Sequence, residues 1–264
     1  MRRYWLEQGA FAGNLSRPDS MVGTEVLIEG DSLHHIRDVC RQTVGDHFEV
    51  LIDGSAFLVE VVGEKKRELT AMIREVRQIE ALPTPRIRVA LAIPRFNVLE
   101  GVLEKLVEMG VETVQPLFSD NSFIRTATDT WDAKDSRFQK IIQSATQQCG
   151  RGEKMRLAPP KKLSDFLREL TTEINQNGRV QGLFAYEIGT VPVRDLVASI
   201  ASTEPKPEGV WVFIGGEGGF SQAEVQMFES SGFRSATLGR QVLRVETACV
   251  ALVSILKYEL DLMR

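Results

Sequence analysis

The chain has 264 residues, of which 43% are hydrophobic, 26% charged and 7% aromatic. That is ordinary globular composition for one large domain or two modest ones, and it excludes a disordered or fibrous chain. Thirty-two Lys and Arg against 36 Asp and Glu leave a net charge of −4, so a nucleic-acid partner must be met by a local patch rather than by bulk charge.

The first 75 or so residues read as β. EVLIEG, HFEVLID, SAFLVEVV and TAMIREV are short runs rich in Val, Ile, Leu and Phe, separated by turn residues. Asp53-Gly54 between two such runs is a hairpin signal. One helical piece, DSLHHIRDVCRQ, interrupts them, with Asp31 or Ser32 as a plausible N-cap. A small barrel or sandwich is expected, ending at a Pro83/Pro85 linker. From residue 86 strand and helix alternate: RIRVALAI, then VLEGVLEKLVEMG, TVQPLF, RFQKIIQSATQQCG, LSDFLRELTTEINQNG, RVQGLFAY, VRDLVASIA, VWVFIG, SQAEVQMFESSG, SATLG and VETACVALVSILKYELDLM. Nearly continuous apolar strands alternating with helices predict a parallel α/β sheet. No run of about 18 apolar residues suggests a membrane span, and MRRYWLEQGAF lacks the apolar segment of a signal peptide. Cys40, Cys149 and Cys249 are too few and too far apart for a disulfide framework or a zinc pattern. His34, His35 and His47 do not form a metal set either, so no metal is expected. A reducing, cytoplasmic setting is the default.

Two C-terminal loops carry the chemistry. In VWVFIGGEGGFSQAEV a buried strand runs into Gly215-Gly216-Glu217-Gly218-Gly219, and a helix begins at Ser221. Ser221 and Glu224 have the spacing of a capping box. Glycines at a strand end let a ligand approach the backbone, and ligands of open α/β sheets sit at the carboxyl ends of strands. The spacing matches neither dinucleotide nor P-loop fingerprints, and Glu217 would repel a phosphate, so a neutral or cationic ligand fits better. The plainer account is a tight turn before a capped helix. In SATLGRQVLRVETACVALV, Val242 and Leu243 lie in a loop, where apolar groups cost free energy unless covered. They either join the core or wall an aromatic ligand.

IGGEGGFSQAEV followed by LGRQVLRVETACVAL resembles the signature of the bacterial uridine N3-methyltransferases of small-subunit (16S) ribosomal RNA, in the SPOUT class. DSLHHIRDVCRQTVGDHFEVLIDG, EKLVEMGVETVQPL and SATQQCGR resemble further segments of that family, so the likeness runs from about residue 1 to 260. The chain departs from the pattern at Gly216 (Pro in the family), Gln241 (Arg), Asn121 (often Arg), Cys40 (Leu) and Val245 (Thr).

The resemblance implies an N-terminal PUA-like β-barrel over residues 1–76, which binds RNA. It implies a SPOUT α/β domain over residues 77–264 whose C-terminal segment threads a trefoil knot. It also implies S-adenosylmethionine as cofactor, held by Ala185, Tyr186, Ile214, Gly215, Gly216, Gly219, Leu238, Gly239, Val242 and Leu243. Arg244, Glu217 and Glu246 are the candidate catalytic residues: Arg244 to stabilise charge on the uracil carbonyls, either glutamate to accept the N3 proton, unless the glutamates only cap helices. Arg2, Arg3, His35, Arg37, Arg41 and Arg151 are the candidate RNA contacts, with Arg37 and Arg41 on one helical face; a solvated surface would look the same. The expected partners are 16S rRNA, within the small ribosomal subunit, and a second copy of the chain through the last helix. A SPOUT enzyme with another RNA target, or a non-catalytic RNA-binding or assembly protein, are the competing readings.

Overall fold

The computed structural model describes residues 1–6, 18–125, 129–189 and 191–263. The chain divides into two compact units, one of residues 1–81 with 146–154, the other of residues 82–145 with 155–264. The sequence places the boundary at 76/77 and does not anticipate that residues 146–154 join the first unit.

The first unit is a five-stranded sheet in the order β1-β3-β4-β5-β2. Its strands are β1 (Arg3–Trp5), β2 (Glu25–Ile28), β3 (His47–Ile52), β4 (Ser55–Lys65) and β5 (Glu68–Gln78). All pairings are antiparallel except β1 with β3. Alternate residues of β3 (Phe48, Val50, Ile52) and β4 (Phe57, Val59, Val61) fill one core with Ile28, Leu69 and Ile73, as a period-2 pattern requires. Asp53 and Gly54 both take positive φ, 44° and 76°, the two-residue hairpin geometry that matches strand twist. The helical piece starts earlier than its Asp and Ser suggest. α1 (Gly30–Leu33) has Glu29 at its N-cap and no side-chain cap, then widens into a π-type helix over His34–Val39. Arg41 lies beyond that helix with φ 58°. Arg37 and Arg41 therefore do not share a helical face, because the helix stops at Val39.

The second unit is an all-parallel sheet in the order β12-β10-β11-β6-β7-β8, with β9 also beside β7. Its strands are β6 (Arg86–Ala92), β7 (Thr113–Phe118), β8 (Arg156–Leu157), β9 (Lys161–Lys162), β10 (Val180–Ala185), β11 (Gly209–Ile214) and β12 (Arg234–Ala236). The helices are α2 (Phe96–Glu108), α3 (Asp129–Cys149), α4 (Leu163–Asn177), α5 (Val193–Ala201), α6 (Gln222–Ser230) and α7 (Val245–Glu259). Side-chain alternation divides the strands between two cores. Val89, Leu91, Val210, Val212 and Ile214 face one layer, with Leu99 and Leu103 of α2, Phe138 of α3, Val197 of α5 and Leu252 of α7. Ala90, Ala92, Trp211 and Phe213 face the other, with Phe166 of α4 and Phe228 of α6. Burial on both faces explains why these strands read as unbroken apolar runs.

Gly182, in β10, is required by packing. A Cβ there would lie 2.5 Å from Cε1 of Phe233. Gly182→Ala is expected to destabilise this unit by about 1–3 kcal/mol through overpacking. Urea unfolding checks this; an unchanged midpoint would contradict it.

Candidate functional site

In an open parallel sheet the ligand crevice lies beyond the carboxyl ends of the strands, where connections turn in opposite directions. Here β6 connects through α2 to β7 on one side, while β11 lies between β6 and β10. A cleft of about 550 Å³ opens there, within the usual size of small-molecule sites. Its wall comes from the ends of β10, β11 and β12 and the starts of α2 and α7.

The glycine loop is folded onto itself. Gly219 N donates to Gly216 O at 3.0 Å, and Gly219 has φ +64°, a conformation that disfavours any side chain. A Cβ at Gly215 would lie 2.9 Å from Gly219 Cα, so only glycine permits the closure. A Cβ at Gly216 would meet nothing closer than the Ala92 carbonyl oxygen at 3.5 Å. The loop therefore has room for a larger residue where this chain has Gly216.

The capping box expected at the start of α6 is formed. Ser221 Oγ accepts from Glu224 N at 3.2 Å, and Ser221 N donates to Glu224 Oε2 at 2.8 Å. Glu224 is only 2% exposed, and its other oxygen accepts from Asp120 N at 2.9 Å. Asn121 Nδ2 donates to Gly218 O at 3.0 Å, and Ser221 Oγ donates to Asp120 Oδ2 at 2.6 Å. The loop after β7 is thus tied to the glycine loop by side chains about one hundred residues away in sequence. Glu224 puts a buried carboxylate at this helix N-terminus, and its negative charge opposes a phosphate there.

The second loop, from Leu238 to Arg244, closes the opposite side. Gly239 N donates to Thr237 Oγ1 at 3.3 Å. Leu238 and Leu243 are partly buried against the core, whereas Val242 is 81% exposed. The two leucines pack on the core while also lining the cleft, and Val242 is exposed there.

All ten residues expected to hold a cofactor line this one cleft: Ala185, Tyr186, Ile214, Gly215, Gly216, Gly219, Leu238, Gly239, Val242 and Leu243. Glu217, Arg244 and Glu246 line it too. Glu217 is exposed and its Oε1 accepts from Arg95 N at 3.1 Å, at the N-cap of α2. Arg244 is the exposed N-cap of α7, and Glu246 is half-buried in its first turn. Sequence reasoning missed Arg95, Val98 and Glu187 in the lining. Glu187 directs its carboxylate at Gly219, 3.4 Å from where a Cβ would stand. Arg95 and Glu187 each sit just past the end of a strand, the signal that could have found them.

The candidate RNA contacts belong to the first unit and fall in separate places. Arg2 Nη1 donates to Cys40 O at 2.6 Å, and His35 Nε2 lies 3.8 Å from Cys40 Sγ, so Arg2 and His35 converge beside Arg41. Arg37 turns instead to Asp38 and to the Lys65 and Lys66 carbonyls. Arg3 and Arg77 both bond the Glu49 carboxylate, at 2.8 and 2.9 Å. Burial alone would raise Glu49, but the two guanidiniums hold its carboxyl below the usual range. Arg151 is only 9% exposed. No helix among the described residues is long and apolar enough to cross a membrane.

Comparison with known proteins adds to this geometry. The family model of the RNA methyltransferase domain matches residues 80–257, and that of the RNA methyltransferase PUA domain matches residues 28–73. A relative named ribosomal RNA small subunit methyltransferase E, from Aquifex aeolicus, is 28% identical over 88% of this chain and 93% of its own length. One of the same name from Bacillus subtilis is 24% identical over 100% and 99%. A solved Legionella pneumophila structure, described as a methyltransferase with bound cofactor SAM, superposes with a TM-score of 0.80 at 25% identity, covering 98% of this chain and 97% of that one.

The Glu224 tie makes a prediction about stability. Glu224→Gln turns one acceptor into a donor facing a buried N–H and is expected to cost about 1–3 kcal/mol. Urea unfolding measures it, and a variant as stable as the parent would show that the tie contributes nothing.

Proposed function

The chain belongs to the family of RNA methyltransferase domains, and on that premise we propose that it transfers a methyl group from S-adenosylmethionine to N3 of a uridine in small-subunit ribosomal RNA. The observation that carries this reading is the convergence of both strand-end loops on one cleft. Glycine backbone forms one wall, Leu238, Val242 and Leu243 another, and Arg244, Glu217 and Glu246 also line it.

The residues fit that cofactor. It is cationic at sulfur and carries an adenine. Glu187, Glu217 and Glu246 bring negative charge to the cleft, and the apolar wall suits the ring. Gly215, Gly216, Gly218 and Gly219 leave main-chain groups of the loop uncovered by side chains of their own. When bound, S-adenosylmethionine supplies a methyl carbon on a sulfonium leaving group. The chain's own residues hold the uracil in line with that carbon, which supplies much of the acceleration. The uridine is presented unpaired or flipped out of its helix.

Uridine N3 carries a proton at neutral pH, so a group must take it as the new bond forms. Glu246 and Glu217 are the candidate acceptors, in a cleft that Glu187 also lines; Glu217 already has one oxygen engaged by Arg95 N. Arg244 cannot be a base, because guanidinium stays protonated. It stabilises the negative charge that spreads onto the uracil carbonyls.

The reading extends to features beyond the cleft. Residues 1–76 act as a PUA-like barrel that contacts rRNA through Arg2, Arg3, His35, Arg37 and Arg41, with Arg151 contributed by the 146–154 segment of the same unit, and residues 77–264 form the SPOUT domain. The C-terminal segment threads a trefoil knot, as the resemblance to the SPOUT class implies. The enzyme works as a cytoplasmic homodimer on the small ribosomal subunit, with α7 near the interface.

The deciding experiment is transfer from labelled S-adenosylmethionine to small ribosomal subunits lacking the modification, with the product nucleoside identified by mass spectrometry. N3-methyluridine is expected. Methylation of another base or of a ribose would select a different target within the class. No transfer and no cofactor binding would select the non-catalytic reading. Arg244→Ala is expected to lower kcat by about 100-fold or more, and Gln in place of whichever glutamate takes the proton by about 100-fold, with cofactor affinity kept.

Gly219→Arg should abolish cofactor binding, because it forces a long side chain onto a φ of +64° beside Glu187. Calorimetry with S-adenosylhomocysteine tests it. Unchanged affinity would move the cofactor elsewhere.

A further inference from the structure

Two aromatic side chains stand exposed among the described residues, Phe123 and Tyr258. Phe123 is the one two residues from Asn121, whose side chain bonds a wall residue of the cleft, Gly218. It is 57% exposed, a large apolar area for a side chain that has a core beside it. Its backbone is pinned, for Phe123 N donates to Ile93 O at 2.9 Å. Its ring meets the edge of Phe96, with centroids 5.9 Å apart at 78°. Phe96 in turn packs on Trp131 and Phe138 at 6.4 and 5.8 Å. The ring is thus braced from within by an aromatic chain that reaches the core, and its remaining surface is left to solvent.

Its neighbours place it at the mouth of the site. Phe96 follows Arg95, a residue of the cleft wall. Asn121, two residues before Phe123, holds the carbonyl of Gly218, another wall residue. Two exposed arginines lie near it in the chain, Arg125 two residues on and Arg95 beside its ring partner Phe96. An exposed aromatic face with arginines at hand is a combination by which proteins hold single-stranded nucleic acid: the ring stacks a base while the cations meet the phosphates.

We propose that Phe123 is a stacking platform for an unpaired RNA base at the mouth of the cleft, either the extruded target uracil or its immediate neighbour, with Arg95 and Arg125 holding the adjoining phosphates. This rests on the RNA-methyltransferase reading and deepens it, because it assigns a substrate contact in the catalytic unit itself. Taking a base out of its stack loses stacking energy, and an exposed ring returns part of it. Stacking is tolerant of base identity, so Phe123 contributes to substrate hold and the choice of uridine is left to groups inside the cleft.

The test compares the wild type, Phe123→Ala and Phe123→Trp in methyl transfer to unmodified small ribosomal subunits. Affinity for S-adenosylhomocysteine and the sedimentation coefficient are measured alongside. Phe123→Ala is expected to lower kcat/KM for the subunits about ten-fold, chiefly through KM. Phe123→Trp is expected to restore it, and neither is expected to move cofactor affinity or molecular mass. Wild-type kinetics in Phe123→Ala would overturn the platform while leaving the methyltransferase reading intact. A loss that tracks a change in molecular mass would overturn it in favour of a contact between copies of the chain. A wild type that binds S-adenosylhomocysteine yet methylates no subunit would fail the underlying reading, and the platform with it.

Discussion

A single carboxylate holds the catalytic unit's loops in place. Glu224 is almost sealed from solvent, and each of its oxygens accepts a main-chain N–H from a different strand-end loop, Asp120 on one side and Ser221 on the other. A charge removed from water is costly unless fully hydrogen-bonded, so the cheapest arrangement is the one in which both loops present their N–H groups at the same place. The glycine loop then has one position relative to β7, and Asn121 reinforces it through the Gly218 carbonyl. Everything else in the cleft is placed from that anchor. Arg95 N reaches Glu217 from the start of α2, and α7 brings in Arg244 and Glu246 from the far side.

Much of this was legible in the sequence, for identifiable reasons. The strand TVQPLF is observed over Thr113–Phe118, and α4 ends at Asn177 with Gly178 at φ 61°, because apolar period and glycine stops act locally. The capping box at Ser221 was readable for the same reason. What escaped was set by distance in the chain. Glu187 and Arg95 each follow a strand end, but only the pairing of β10 and β6 with β11 brings those two ends to one cleft. β1 is three residues long and pairs in parallel with β3, so no hairpin turn announces it. The assignment of residues 146–154 to the first unit is invisible to periodicity, since the same helical pattern runs through Cys149. Arg41 was misplaced because a π-type turn ends the helix early, and side-chain spacing does not report that.

Charge follows the same division between local and distant. The net charge of −4 conceals pairings that remove cations from the surface account. Arg3 and Arg77 share Glu49, and Arg37 is engaged by Asp38. A paired arginine retains donors that can face a phosphate, but it meets the ligand as part of a fixed array. Such an array favours one geometry of a polyanion's backbone over generic attraction.

The position of β11 also bears on how the chain is made. The strand that separates β6 from β10 lies more than one hundred residues after β6 in sequence. During synthesis β6 and β7 emerge long before it, so one side of β6 stays an open apolar edge until residue 214 or so has left the ribosome. Such edges recruit other strands. The centre of the sheet, and with it the ligand cleft, therefore assembles only when translation is almost complete. A nascent chain stalled short of β11 is the state most exposed to aggregation.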